Sequence, residues 1–169
     1  EPYRRQRQMC IRDSLIGFRL SYQKEGPKRG DIIIFNYPVD ESETYIKRVI
    51  GLPGETLEIR DAKVYINHSD TPLDEPYLKE NWVAMNDGLT YEIPEECYFV
   101  MGDNRNNSAD GRYWAMEAVD YGAADSIEEA VENEYCFVRQ DQILGKAIFR
   151  YFPKPALLNQ SPYEEETDQ

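Results

Sequence analysis

The chain has a single histidine, His68, among 169 residues, and that scarcity removes most familiar hydrolytic machinery. A Ser-His-Asp triad would have to use it, yet its setting, Asn67-His68-Ser69-Asp70, reads as a solvent-exposed turn. The three cysteines, Cys10, Cys97 and Cys136, lie far apart without a C-x-x-C pair, which all but excludes a zinc site of cysteine and histidine. Whether Cys97 and Cys136 pair or stay as buried thiols is open at this level. Positive charge is also short. Nineteen basic residues against 32 acidic ones leave a net charge of -13, which repels nucleic acid and anionic headgroups, so no nucleic-acid partner is expected. No apolar run approaches the ~20 residues of a membrane-spanning helix. The start, Glu1-Pro2-Tyr3-Arg4-Arg5, has no apolar stretch behind it and does not read as a secretory signal. Phosphate loops, dinucleotide fingerprints, G-x-S-x-G elbows and H-E-x-x-H helices are all missing.

What is present is β-rich. Leu15–Leu20, Gly30–Phe35, Thr44–Ile50, Leu57–Arg60, Lys63–Asn67, Glu96–Met101 and Ile143–Phe152 are short runs dense in β-branched and aromatic residues. Pro53-Gly54 suits a type II turn, and Asp61-Ala62 lies between two alternating runs as the turn of a hairpin. These patterns predict a mainly β fold of barrel or sandwich type. Between Met116 and Glu134 stand seven acidic residues and no basic one, with Ser126-Ile127-Glu128-Glu129 resembling a capping box; we expect a short exposed helix that packs little on the core. The tail, 156–169, is acidic enough that disorder is expected.

Two clusters carry candidate chemistry. In Tyr45-Ile46-Lys47-Arg48-Val49-Ile50, strand alternation puts Lys47 on the face of Tyr45 and Val49, and Arg48 on the face of Ile46 and Ile50. A lysine among strand apolars ordinarily snorkels to solvent. The alternative is that Lys47 is desolvated, loses its proton near neutral pH and serves as a general base to a serine, with no histidine needed. The second cluster, Gly102-Asp103-Asn104-Arg105-Asn106-Asn107-Ser108-Ala109-Asp110-Gly111-Arg112, is either a polar surface loop or a brace of acids paired with arginines.

Three stretches in order, Lys28–Phe35, Tyr45–Glu55 and Gly102–Arg112, resemble three motif blocks of type I signal peptidases, and the likeness spans roughly 15–114 and 143–153. The resemblance implies a signal-peptidase-like β-core over 15–155, decorated by the acidic insert, and an endopeptidase that removes N-terminal signal peptides from exported preproteins with a Ser/Lys dyad. By the same resemblance Lys47 matches the general base and Ser108 the hydroxyl that orients it. Arg48, Asp103, Asp110 and Arg112 match the supporting ion pairs, and Tyr45 and Ile46 the strand beside which substrate adds. The expected partners are signal peptides and the plasma membrane, reached through an N-terminal anchor with the catalytic domain extracytoplasmic; no metal or organic cofactor is required.

This sequence departs from the pattern in two places. Gly111 stands where the family often has serine. More seriously, the nucleophile belongs to a Ser-Met block about a dozen residues before Leu15, and no Ser-Met pair occurs here. Residues 1–14 therefore read as a non-native or divergent leader, and the chain by itself is expected to be inactive. Two other readings fit the same residues: a non-catalytic domain that binds exported peptides by strand addition, and another serine-lysine protease of related fold, such as a self-cleaving repressor.

Overall fold

The computed structural model describes residues 15–18, 26–83, 88–150 and 156–157, with backbone pairing alone at 15–18, 148–150 and 156–157. Among the described residues there are ten strands: β1 (Leu15–Phe18), β2 (Ile32–Asn36), β3 (Thr44–Gly51), β4 (Thr56–Arg60), β5 (Lys63–Ile66), β6 (Thr90–Glu92), β7 (Cys97–Met101), β8 (Val138–Arg139), β9 (Ile143–Arg150) and β10 (Ala156–Leu157). They form two sheets. The larger has seven strands in the order β1-β9-β2-β3-β7-β8, with β10 also on β9, and the smaller has the order β5-β4-β6. The described strands close no barrel, which corrects that half of the expectation; the sheet ends at β1 and β8.

The alternating runs fold as their periodicity dictates. On β2 and β3, Ile33, Phe35 and Val49 point into one cluster with Tyr37, Tyr98, Val100, Trp114 and Val138. The opposite face presents Ile50, Phe99 and Met101 to a second cluster, completed by Leu57, Ile59 and Val64 of the smaller sheet. All five residues of β7 are buried because this strand is covered on both faces, which is why it reads as a continuous apolar run. The β4–β5 turn holds Asp61 at φ 49° and Ala62 at φ 55°, the two left-handed residues of a type I′ hairpin.

The acidic segment departs from the expectation. Two helices, α1 (Trp114–Asp120) and α2 (Ile127–Glu132), replace the single exposed helix, and Ser126 caps α2 through its hydroxyl, which accepts from the Glu129 amide at 3.1 Å. Ala118 and Ala130 are fully buried and, with Ala115 and Ala124, pack into the second cluster. Alanine gives little periodic apolar signal, so acidic neighbours masked a packed face. The tail was expected to be unstructured from Ala156, yet Ala156–Leu157 pairs with Phe149–Arg150; residues 158–169, like the leader 1–14, lie outside the described residues. Among the described residues no helix is long and apolar enough to cross a membrane.

Candidate active site

The register of β3 separates its two adjacent cations. Lys47 stands opposite Ile33 on β2, and Arg48 opposite Met101 on β7. Lys47 is half-buried rather than largely buried, with its Nζ 5.7 Å from the centre of the Tyr45 ring, and Tyr45 itself stacks on Tyr37 at 4.5 Å. Arg48 turns to the other face and is buried. Its Nε and Nη2 donate to the two Asp103 carboxylate oxygens at 2.8 and 2.7 Å, its Nη1 donates to the Gly30 carbonyl at 2.7 Å, and its guanidinium lies 4.2 Å from the Tyr77 ring centre.

The segment after β7 is a knot of charge folded on itself. Asp110 and Arg112 have no exposed side-chain surface, and the Arg112 Nε and Nη2 donate to Asp110 at 2.7 and 2.9 Å. Asp110 Oδ2 also accepts the Gly102 amide at 2.9 Å. Arg105 is buried too; its Nε donates to the Gly102 carbonyl at 3.2 Å and its guanidinium pairs with Glu75. Burial opposes the Arg105 charge, but the Glu75 carboxylate outweighs that effect and holds the guanidinium above its ordinary value.

Gly102 is where the two clusters meet. Continuing the Arg48↔Met101 register by one residue puts Lys47 opposite Gly102, with both side-chain directions on the same face. A Cβ on Gly102 would lie 2.1 Å from the Ser108 Oγ, so the serine occupies the space that the glycine leaves. That Oγ is buried and has no hydrogen-bond partner among the described residues. The expected Lys47–Ser108 hydrogen bond is therefore not made, although the register directs the lysine to the serine's side of the sheet.

Further contacts had no partner assigned from the sequence. Glu75, in the loop between β5 and β6, holds Arg105 from thirty positions away. Arg29 forks onto Glu55 and donates to the Ile50 carbonyl, and Lys146 Nζ reaches the buried Asp31 at 2.6 Å. Cys97 and Cys136 are buried free thiols, which decides the question their spacing left open. His68 is exposed beside Glu58 and follows β5 of the smaller sheet, whereas Lys47 lies on β3 of the larger one.

Lys47 and Ser108 thus face one side of the sheet about Gly102, with the Arg48 and Arg112 ion pairs close by; comparison with known proteins bears on the family of the chain as a whole. The profile of the family described as signal peptidase, peptidase S26, matches residues 6–152. The probable signal peptidase I-2 of Synechocystis sp. is 33% identical over 154 residues, covering 86% of this chain and 57% of that protein. The signal peptidase I of Bacillus caldolyticus is 34% identical over 151 residues, covering 82% of this chain and 69% of that protein. A crystal structure of a signal peptidase I from Enterococcus faecalis superposes with a TM-score of 0.51 at 33% identity, covering 72% of this chain and 97% of that one. The chain belongs to the signal peptidase family, peptidase S26. It spans 57% and 63% of the length of two Synechocystis proteins that it matches.

Proposed function

We propose that this chain carries the catalytic β-domain, over 15–155, of a membrane-anchored endopeptidase that removes signal peptides from exported preproteins on the extracytoplasmic side. Lys47 is the general base. It takes the proton of a serine supplied by the family's Ser-Met block, which then attacks the scissile carbonyl. Ser108 orients the lysine, and the Arg48–Asp103 and Asp110–Arg112 pairs keep two further cations occupied away from the amine. The observation that carries this reading is the buried Ser108 Oγ seated over Gly102, on the face from which Lys47 projects.

Substrate is proposed to add beside Tyr45 and Ile46. The β7 ladder covers β3 only from Arg48 onward, because the chain leaves the sheet after Met101. An extended peptide at that edge would present every second side chain to the same pocket, which fits cleavage after small residues at alternate positions.

The test is a chimera in which the family's Ser-Met block is joined upstream of Leu15, assayed on a peptide spanning a preprotein cleavage junction. The chimera is expected to cleave, the 169-residue chain is not, and Lys47→Ala in the chimera should lose roughly 10³-fold or more in kcat. Cleavage that survives Lys47→Ala would eliminate the lysine as the base.

A further inference from the structure

The Gly102–Arg112 segment does not hold itself in place by its own charges alone. Arg105 enters the protein with a side chain only 1% exposed, and the carboxylate that meets it comes from Glu75, 7% exposed, on a loop outside every motif cluster. The contact is forked: Nη1 to Glu75 Oε2 at 3.1 Å and Nη2 to Oε1. Trp82, from the same loop, packs against both buried guanidiniums, 5.2 Å from Arg105 and 5.3 Å from Arg112. Arg105 passes the restraint on in two directions. Its Nε fixes the Gly102 carbonyl, and its own carbonyl accepts from Arg112 Nη2 at 3.0 Å, which returns through Asp110 to the Gly102 amide.

Gly102 is thus held at both its amide and its carbonyl, and Ser108 rests on it with no margin. We propose that Glu75 is a positioning residue for this site: through Arg105 it fixes Gly102, and thereby the placement of Ser108 against Lys47. The proposal rests on the roles given to Lys47 and Ser108 above. Glu75 touches neither of them, so its effect is on where the two groups sit. A fork from a fixed carboxylate sets both the distance and the plane of the guanidinium, which a single contact cannot do.

The experiment uses the 169-residue chain and compares Glu75→Gln and Glu75→Asp with the control Glu58→Gln, whose carboxylate serves Arg60 and His68 on the smaller sheet. Two local readouts are followed by NMR: hydrogen exchange at the Gly102 amide, with the Val100 amide in β7 as internal reference, and the titration of Lys47 after 13C-dimethylation of the lysines. Glu75→Gln should speed Gly102 exchange about tenfold, the worth of one weakened buried hydrogen bond, while Val100 is unchanged. The Lys47 midpoint should move away from that of the unaltered chain, because its placement relative to Ser108 changes. Glu75→Asp keeps the charge but shortens the reach; it should give intermediate effects, and it decides the matter if the glutamine variant does not fold. Glu58→Gln should change neither readout.

Wild-type exchange at Gly102 in both variants overturns the proposal. So does acceleration of Gly102 and Val100 together, which would make Glu75 a contributor to global stability. Faster Gly102 exchange with an unmoved Lys47 titration would confine Glu75 to the loop and also defeat it. Should Lys47 of the unaltered chain titrate like a surface lysine, the general-base reading fails instead, and Gly102 exchange still reports whether the brace exists.

Discussion

Neighbouring cations take opposite parts because strand side chains alternate. Lys47 and Arg48 are adjacent in sequence, yet one faces Ile33 and the other meets Asp103 across the sheet. Asp110 is fully buried and costly to alter. It pairs with a fully buried guanidinium and accepts two backbone amides, Gly102 and Arg112, so Asp110→Asn would remove the charge from that buried pair and weaken both amide contacts. A loss of roughly 3–5 kcal/mol in unfolding free energy is expected, read from the urea midpoint. The thiols give a pH dependence. Burial, reinforced by Glu134, pushes the Cys97 thiol up to about 12, and burial pushes Cys136 up to about 11, from an ordinary 9.0. Above pH ~9 the unfolded chain releases protons that the folded chain retains, so stability falls as pH rises through that window. The melting temperature should drop between pH 8 and 10.5, and the drop should shrink in a Cys97→Ser/Cys136→Ala variant. An unchanged drop would place the alkaline sensitivity elsewhere.

Among elements, the β4–β5 hairpin carries a correctable strain. Ala62 sits at φ 55°, where an L side chain costs about 1–2 kcal/mol and glycine costs nothing comparable. Ala62→Gly should therefore raise stability by about 1 kcal/mol in denaturant unfolding. A decrease would mean that the methyl group's packing against the adjoining cluster outweighs the backbone term. The helical pair buries its small residues, Ala118 and Ala130, while Met116, Tyr121, Ile127 and Val131 stay exposed. With Ala118 and Ala130 fully buried, exchanging 116–134 for a Gly/Ser linker should lower the melting temperature by several degrees or more, since it strips one wall from the second cluster.

At the scale of the whole molecule, the two apolar clusters are the two sides of one sheet. Val49 and Val100 belong to the first, while Ile50 and Phe99, their chain neighbours on β3 and β7, belong to the second. Neither side can come apart without dismantling strands that the other needs, which predicts a single cooperative transition. The two tryptophans make this measurable, because Trp114 lies in the first cluster and Trp82 in the second. Trp114→Phe leaves Trp82 as the reporter and Trp82→Phe leaves Trp114. Each fluorescence melt should coincide with the far-UV circular dichroism melt of the same variant. Separated midpoints would divide the molecule into two independently unfolding layers.

The sequence by itself determined the strands and the direction of their side chains. A period of two is a consequence of covalent geometry, so β2, β3, β4, β5, β7 and β9 could be read off, as could the split of Lys47 from Arg48 and the hairpin turn at Asp61-Ala62. Family membership was legible for a similar reason, since it lies in ordered runs of residues. Only the tertiary structure decided which acid answers which arginine. Arg48 with Asp103, Arg105 with Glu75 and Arg29 with Glu55 are pairings across 55, 30 and 26 positions, and no spacing rule selects among the many available carboxylates. It also decided that the described strands close no barrel, that short strands such as β6 and β8 form, and that the alanines of an acidic segment are buried. Those outcomes depend on which surfaces come together, and that is a property of the assembled chain that local pattern does not carry.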